Sequence, residues 1–204
     1  MTDSESLASV RPEASSDTSA ARLTGAIAAY VRARDSNRPH LMKAAFTDAA
    51  VLQIHVEPGT PHLQSGLVGR KAIVESLVTR FNQAWENIYT LCIGARPAAE
   101  VEAFSCAWLG VMCSKSDGSC RIGWGRYDWI FDLDSQRARS LVIVVSAMKV
   151  VTTDVGPLID WVSLLPYPWC DGSAIMAAPP PILHARSILD HLEAARIHAR
   201  ARSS

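Results

Sequence analysis

The chain has 204 residues, 49% of them apolar, and its 20 Lys and Arg balance 20 Asp and Glu. That length suits one domain with room for terminal segments, and zero net charge supplies no field for nucleic acid or an anionic membrane. No apolar run reaches the roughly 18 residues of a membrane span, so neither membrane nor nucleic acid is expected as a partner.

The first 20 residues, "MTDSESLASVRPEASSDTSA", are rich in Ser and acid and hold no apolar core. They read as a disordered lead-in, not a secretory signal. A helix is expected from about Ala21, because "ARLTGAIAAYVRARDSN" places Leu23, Ile27, Tyr30 and Val31 at helical spacing before the stop signals Asn37 and Pro39. A short helix follows in "PHLMKAAF". "DAAVLQIHVEPGTP" then reads as a strand entering a Gly/Pro turn. "GRKAIVESLVTRFNQAW" is the next helix, with Ile73, Leu77 and Phe81 at four-residue intervals.

After that helix the period changes. "NIYTLCIGARP", "EAFSCAWLGVMCS", "SCRIGWGRYDWIFDL" and "RSLVIVVSAMKVV" are four strand candidates, joined by turns at "ARPAAE", "KSDGS" and "DSQRA" that suit an antiparallel meander. Three helices around one strand, then four strands, is an α+β order: helices gathered on one face of a curved antiparallel sheet. The domain is placed at residues 21–155. Residues 156–204 form a C-terminal extension: the apolar "PLIDWVSLLPYPWC", a stiff "MAAPPP" spacer, and a helix in "ILHARSILDHLEAARIHARARSS" whose basic end suits a helix C-terminus. That helix is suited to dock on the body or on another subunit.

The five cysteines, Cys92, Cys106, Cys113, Cys120 and Cys170, contain no C-x-x-C pair. They are expected as reduced thiols of a cytoplasmic protein. The six histidines show no H-x-x-x-H spacing, and there is no Gly-rich phosphate loop or G-x-S-x-G. No metal and no cofactor are therefore expected.

Asp128 is the residue that asks for a reason. It sits among aromatics in "GWGRYDWIFDL", where a carboxylate is costly unless it is used. If it faces the concave side, alternation puts Trp124, Arg126 and Ile130 there too. Tyr127, Trp129 and Phe131 would then cover the outer face as an apolar patch suited to a homodimer.

Three stretches carry a family resemblance: "AYVRARDSNRPHLMKAAFTDAAV", "GLVGRKAIVESLVTRF", and "GRYDWIFDL" with "LVIVVSAMKV". From about Leu23 to Val151 the chain resembles the SnoaL-like, or nuclear transport factor 2-like (NTF2-like), superfamily. The resemblance implies a cone-shaped sheet with three helices enclosing a pocket. It leaves function open, because this fold hosts isomerases, dehydratases, cyclases, hydrolases and binding modules. The chain is also distantly similar to the Δ5-3-ketosteroid isomerases, whose oxyanion hole uses a helix-1 tyrosine and a late-strand aspartic acid. Tyr30 and Asp128 fall on those positions. The family's proton-moving aspartate falls on Ile54, which takes no proton.

Two readings of each candidate follow. Asp128 is either a protonated oxyanion donor or the ion-pair partner of Arg126. Tyr30 is either a pocket donor or core. His55 replaces the missing base only if a bulge near Pro58 turns it inward. Ile54, Trp108, Trp124, Arg126 and Met148 are the expected pocket wall, and Asp160 and Trp161 offer either a lid or core packing. The chain is thus expected to be a small-molecule pocket protein. One form is a cofactor-free isomerase, dehydratase or cyclase that stabilises an enolate of a polycyclic or aromatic substrate. The other is a non-catalytic module that binds a hydrophobic ligand or dimerises.

Overall fold

Helix α1 (Glu13–Asp35) starts upstream of the expected Ala21 and buries Leu23, Ala26, Ile27, Tyr30 and Val31 along one face. It ends where Asn37 takes a left-handed conformation (φ 50°), the local backbone that Asn tolerates at a helix terminus. The structure is a computed structural model that describes residues 13–57, 66–99, 101–153, 155–182 and 185–201. The lead-in expected over residues 1–20 therefore lies outside the described residues as far as residue 12, and the Pro58–Gly59 turn lies outside them too.

A 3-10 turn (Pro39–Leu41) and α2 (Met42–Ala45) lead into β1 (Phe46–Val56), and β2 (Leu67–Val68) pairs back on it. The next helix is continuous in three pieces: α3 (Arg70–Val74), a π-helical stretch (Glu75–Arg80) and α4 (Phe81–Ala84). The meander follows as β3 (Trp85–Ile93), β4 (Ala103–Ser114), β5 (Cys120–Asp132) and β6 (Arg137–Val151). The extension supplies α5 (Val155–Ser163), β7 (Trp169–Cys170), α6 (Gly172–Ala177) and α7 (Ala185–Ala201).

The sheet order is β2-β1-β6-β5-β4-β3-β7. Its four meander strands are antiparallel as expected, but β1 runs parallel to β6 and β7 parallel to β3. The expected all-antiparallel sheet is thus a mixed one. The helical rod over residues 70–84 intervenes between β1 and the meander, so no tight hairpin fixes the direction of β1.

Two backbone irregularities shape the inner face. The β5–β6 register skips Ser146, pairing Trp124 with Ala147 and Gly125 with Val145. The bulge brings the strands so close that a Cβ on Gly125 would lie 1.9 Å from the Val144 carbonyl oxygen. Only glycine fits there, and the extra residue reverses the side-chain alternation of β6. Val145 and Met148 consequently both line the inner side.

Both faces of the sheet are covered. The inner core joins α1 and α3 to Tyr127, Trp129 and Phe131. The outer core joins Leu109, Ile122 and Trp124 to Leu158, Val162, Ile188 and Leu192 of the extension. Two expectations change here. Tyr127, Trp129 and Phe131 of β5 face α1 and α3, so the outer patch on which a homodimer was argued is not made of them. Trp161 packs with the outer core and donates its Nε1–H to Ala178 O at 2.7 Å, so α5 is no lid.

The thiols also differ from expectation. Cys113 and Cys120 are directly opposed across the β4–β5 turn and form a disulfide. Cys92, Cys106 and Cys170 are free and buried. No helix of the described residues is long and apolar enough to cross a membrane.

Candidate functional site

The inner face of the sheet encloses a cavity of about 210 Å³. Its floor is bare backbone, because Gly110 of β4 and Gly123 of β5 are register partners and both lack a side chain. Ile143 and Met148 form one apolar wall, Leu77 and Phe81 of the helical rod another. Trp108 stacks on Tyr127 (5.7 Å, 23° between planes) and donates its Nε1–H to Val144 O at 3.1 Å. That hydrogen bond satisfies the buried indole and holds its face to the cavity.

The polar groups are few and convergent. Tyr30 meets Tyr127 edge to face at 5.8 Å, and both line the cavity. Burial pushes both phenols above their ordinary range, so both remain protonated and able to donate.

Arg34, one turn beyond Tyr30, enters the same cavity. Its guanidinium lies 4.2 Å over the Phe81 ring and donates to Thr90 Oγ1 at 2.6 Å. Thr90 donates its backbone N–H and its hydroxyl to the Asp35 carboxylate at 2.6 and 2.8 Å. Tyr167 of the extension adds a third donor at 3.3 Å, and Arg34 stands 3.7 Å from Asp35. Burial raises the Asp35 carboxyl to about 6, against the opposing pull of Arg34 and Thr90. At the other end Arg121 packs over the Trp85 ring at 4.7 Å.

The expected site residues divide by face. Tyr30, Ile54, Trp108 and Met148 line the cavity. Asp128, Arg126 and Trp124 do not. Asp128 is on the outer face, where it accepts from Arg126 Nε at 2.8 and 3.0 Å and from Ser105 Oγ at 2.7 Å. Trp124 is in the outer core. The parity expected for β5 was right and its face was inverted.

His55 is exposed and registered against Val144, while its neighbour Ile54 is registered against Ile143 and lines the cavity. The irregularity in β1 falls between Phe46 and Val51, before His55, so nothing reverses the alternation over residues 51–56. An oxyanion acid at Asp128 and a base at His55 are therefore both corrected. Cys106 is buried and is not in the cavity wall.

Reading the sequence missed Arg34 and Thr90 and put Tyr127 on the outer face; Arg121, one of the strand residues open to either face, lines the cavity. The available signals were local: two adjacent charges closing an apolar helix face in "VRARD", and a lone Thr in "IYTLCI". Among the described residues no group of three or more His, Cys, Asp or Glu is arranged to hold a metal.

No family model matches the sequence, and no curated protein matches it. Solved structures do match. An NTF2-like superfamily protein from Salmonella enterica subsp. enterica serovar Typhimurium str. LT2 superposes with a TM-score of 0.51 at 17% identity, covering 64% of this chain and 93% of that one. A protein of ketosteroid isomerase-like fold from Catenulispora acidiphila DSM 44928, in complex with trimethylamine, gives 0.47 at 13% identity over 57% and 82%. An M. tuberculosis LEH-like epoxide hydrolase gives 0.47 at 14% identity over 62% and 84%. At these identities the likeness concerns the fold alone: the chain has the NTF2-like, or SnoaL-like, fold.

Proposed function

We propose that this protein is a non-catalytic binding module for a small apolar molecule that carries an oxygen acceptor. The observation that supports this is the cavity's inventory. Its described lining holds two tyrosine hydroxyls, Ser76, Thr90 and two guanidiniums, but no carboxylate and no imidazole. A general base must stand within hydrogen-bond reach of the proton it takes. Asp35, a buried carboxylate bonded to Thr90 of the lining, is not itself in the lining and is engaged by Thr90 and Tyr167. An apolar pocket with a few convergent donors is the usual form of a small-molecule site.

Calorimetric titration with 2-naphthol and 1-tetralone tests the reading. Saturable binding that is lost in Gly110→Leu, whose side chain would fill the floor, is the expected result. No binding of any one- or two-ring probe would remove it.

The enolate-stabilising enzyme is the second reading, favoured by the Tyr30–Tyr127 hydroxyl pair, which suits an oxyanion. Its signature is protein-dependent deuterium exchange at the α-carbon of 1-tetralone, followed by NMR and lost in Tyr127→Phe. Exchange at the buffer rate leaves the binding module.

A further inference from the structure

We infer that the ligand of this cavity is an organic acid, a one- or two-ring carboxylate whose anionic group sits on the Arg121 guanidinium. This rests on the binding reading and names its ligand class. Two cations and no anion line the cavity, and the two cations differ in what already holds them. Arg34 is committed to Thr90, to the Phe81 ring and to the field of Asp35. Arg121 packs over Trp85, and no carboxylate of the described residues lies within ion-pair distance of it.

Asp117, on the turn after β4, is held below the usual carboxylate range mainly by hydrogen bonds from Ser119, with Arg121 the smallest contributor. That carboxylate accepts from Ser119 N at 3.0 Å and from Ser119 Oγ at 2.8 Å. A guanidinium laid over an indole keeps its in-plane N–H donors, and those donors match a carboxylate as a fork. Covering such a cation with a ligand that offers no acceptor is costly, so the guanidinium favours an anion over a neutral group.

The apolar remainder of the ligand has a defined place. Arg121 and Gly123 alternate onto the same inner face, and the Gly110–Gly123 floor lies between Arg121 and the Tyr127 end. Arg121 and Tyr127 are six residues apart, roughly 20 Å along the strand, so one molecule of modest size contacts the guanidinium and the floor before it reaches the tyrosines. A cavity of roughly 150 Å³ accepts benzene, so about 210 Å³ admits one or two rings. One fork in an apolar setting suits a monoanion and leaves a phosphate's further oxygens without donors.

The test is a matched pair, 2-naphthoate and 2-naphthamide, titrated calorimetrically into the full chain and into Arg121→Gln, Arg121→Lys and Arg126→Gln. A charge-assisted fork is worth about tenfold or more in affinity. The full chain is expected to prefer the acid by that factor. Arg121→Gln is expected to abolish the preference while still binding the amide, which certifies its fold. Arg121→Lys is expected to retain part of it, and Arg126→Gln, on the outer face, all of it. Equal affinities in the full chain, or a preference that survives both Arg121 substitutions, overturn the acid and leave the pocket. Failure of both probes overturns the acid and the binding reading together.

Discussion

Arg126 and Asp128 pair on the outer face of β5 at 2.8 and 3.0 Å, while Tyr127 between them lines the cavity and meets Tyr30 edge to face at 5.8 Å. Adjacent residues thus serve opposite sides of one strand. The ion pair is half exposed, with side-chain exposures of 53% and 31%, and such pairs are worth about 0–1 kcal/mol. Asp128→Asn should lower stability by less than about 1 kcal/mol and leave ligand affinity unchanged. Tyr127→Phe removes a cavity hydroxyl worth about 1 kcal/mol as a hydrogen-bond donor and should weaken a neutral ketone such as 1-tetralone, but not an acid seated on Arg121. Urea denaturation and calorimetry on both variants decide it. If Asp128→Asn weakens binding as much as Tyr127→Phe, the face assignment is wrong.

Glycine positions in β4 and β5 should respond in opposite ways. A Cβ on Gly110 meets nothing nearer than Trp108 at 3.5 Å. Gly110→Ala should therefore stabilise by about 0.4–1 kcal/mol, by restricting the unfolded chain. At Gly125 a Cβ would collide with Val144 O at 1.9 Å. Gly125→Ala must open the bulge, so a loss of about 1–3 kcal/mol is expected. Melting curves of the two variants that shift in the same direction would contradict this account.

These glycines also show where reading the sequence stopped. The helix and strand periods of "ARLTGAIAAYV" and "LVIVVSAMKV" stand in the residues themselves, and they agree with α1 and β6. The face of β5 does not. Period-2 alternation sorts its residues into two sets, and burial names the inner one only when the other is polar. Here Ile122 and Trp124 are buried under the extension while Tyr127, Trp129 and Phe131 are buried under the helices, so both sets are apolar. Asp128 then looked enclosed when it is on the outer side. The Arg34–Thr90–Asp35 cluster joins residues 55 positions apart, and β2 and β7 are two residues each, too short for any period to register.

The Cys113–Cys120 bond closes a hairpin with a sequence separation of 7. A loop that short restricts the unfolded chain by about 2 kcal/mol. Cys113→Ser with Cys120→Ser should lower stability by that amount, and a reducing agent should do the same to the unsubstituted chain. The measurement is urea denaturation with and without reductant, plus thiol counting. Five free thiols in the unfolded, unreduced chain would rule the bond out.

Asp35 should give acid a stabilising component. Its folded carboxyl is raised to about 6 by burial, above the ordinary unfolded value near 3.9. Between those values the folded state holds more protons than the unfolded one, so this group's contribution rises as pH falls through 6 towards 4. The gain from pH 7 to 4.5 is on the order of 2 kcal/mol. His191 acts in the opposite direction, because burial lowers its pKa and the unfolded chain protonates first as pH falls. The readout is therefore the difference between the full chain and Asp35→Asn across pH 4.5–7.5. The component belongs to Asp35 if the two profiles diverge as pH falls, with the full chain gaining relative to the variant. Parallel profiles would show that Asp35 titrates normally.

The extension is expected to be part of the folded body and not a loose arm. Leu158, Val162, Ile188 and Leu192 bury Ile93, Leu109, Val111, Ile122 and Trp124, all under 10% exposed. His191 Nε2 lies 3.3 Å from Gly125 O, Trp169 is paired beside Cys92 in the sheet, and Tyr167 donates to Asp35. Ending the chain after Val151 would uncover those five side chains, each worth about 1.5–3 kcal/mol when buried. The shortened chain should melt at least about 10 °C lower, since each kcal/mol moves a chain of this size by roughly 2–4 °C. It should also associate through the uncovered face, which would then present an apolar patch of the kind that drives assembly. Sedimentation velocity and a melting curve, each beside the full chain, measure both effects. An unchanged melting point and sedimentation profile would mean that α5 to α7 only lie against the sheet, and that the outer apolar set is kept for a partner that displaces them.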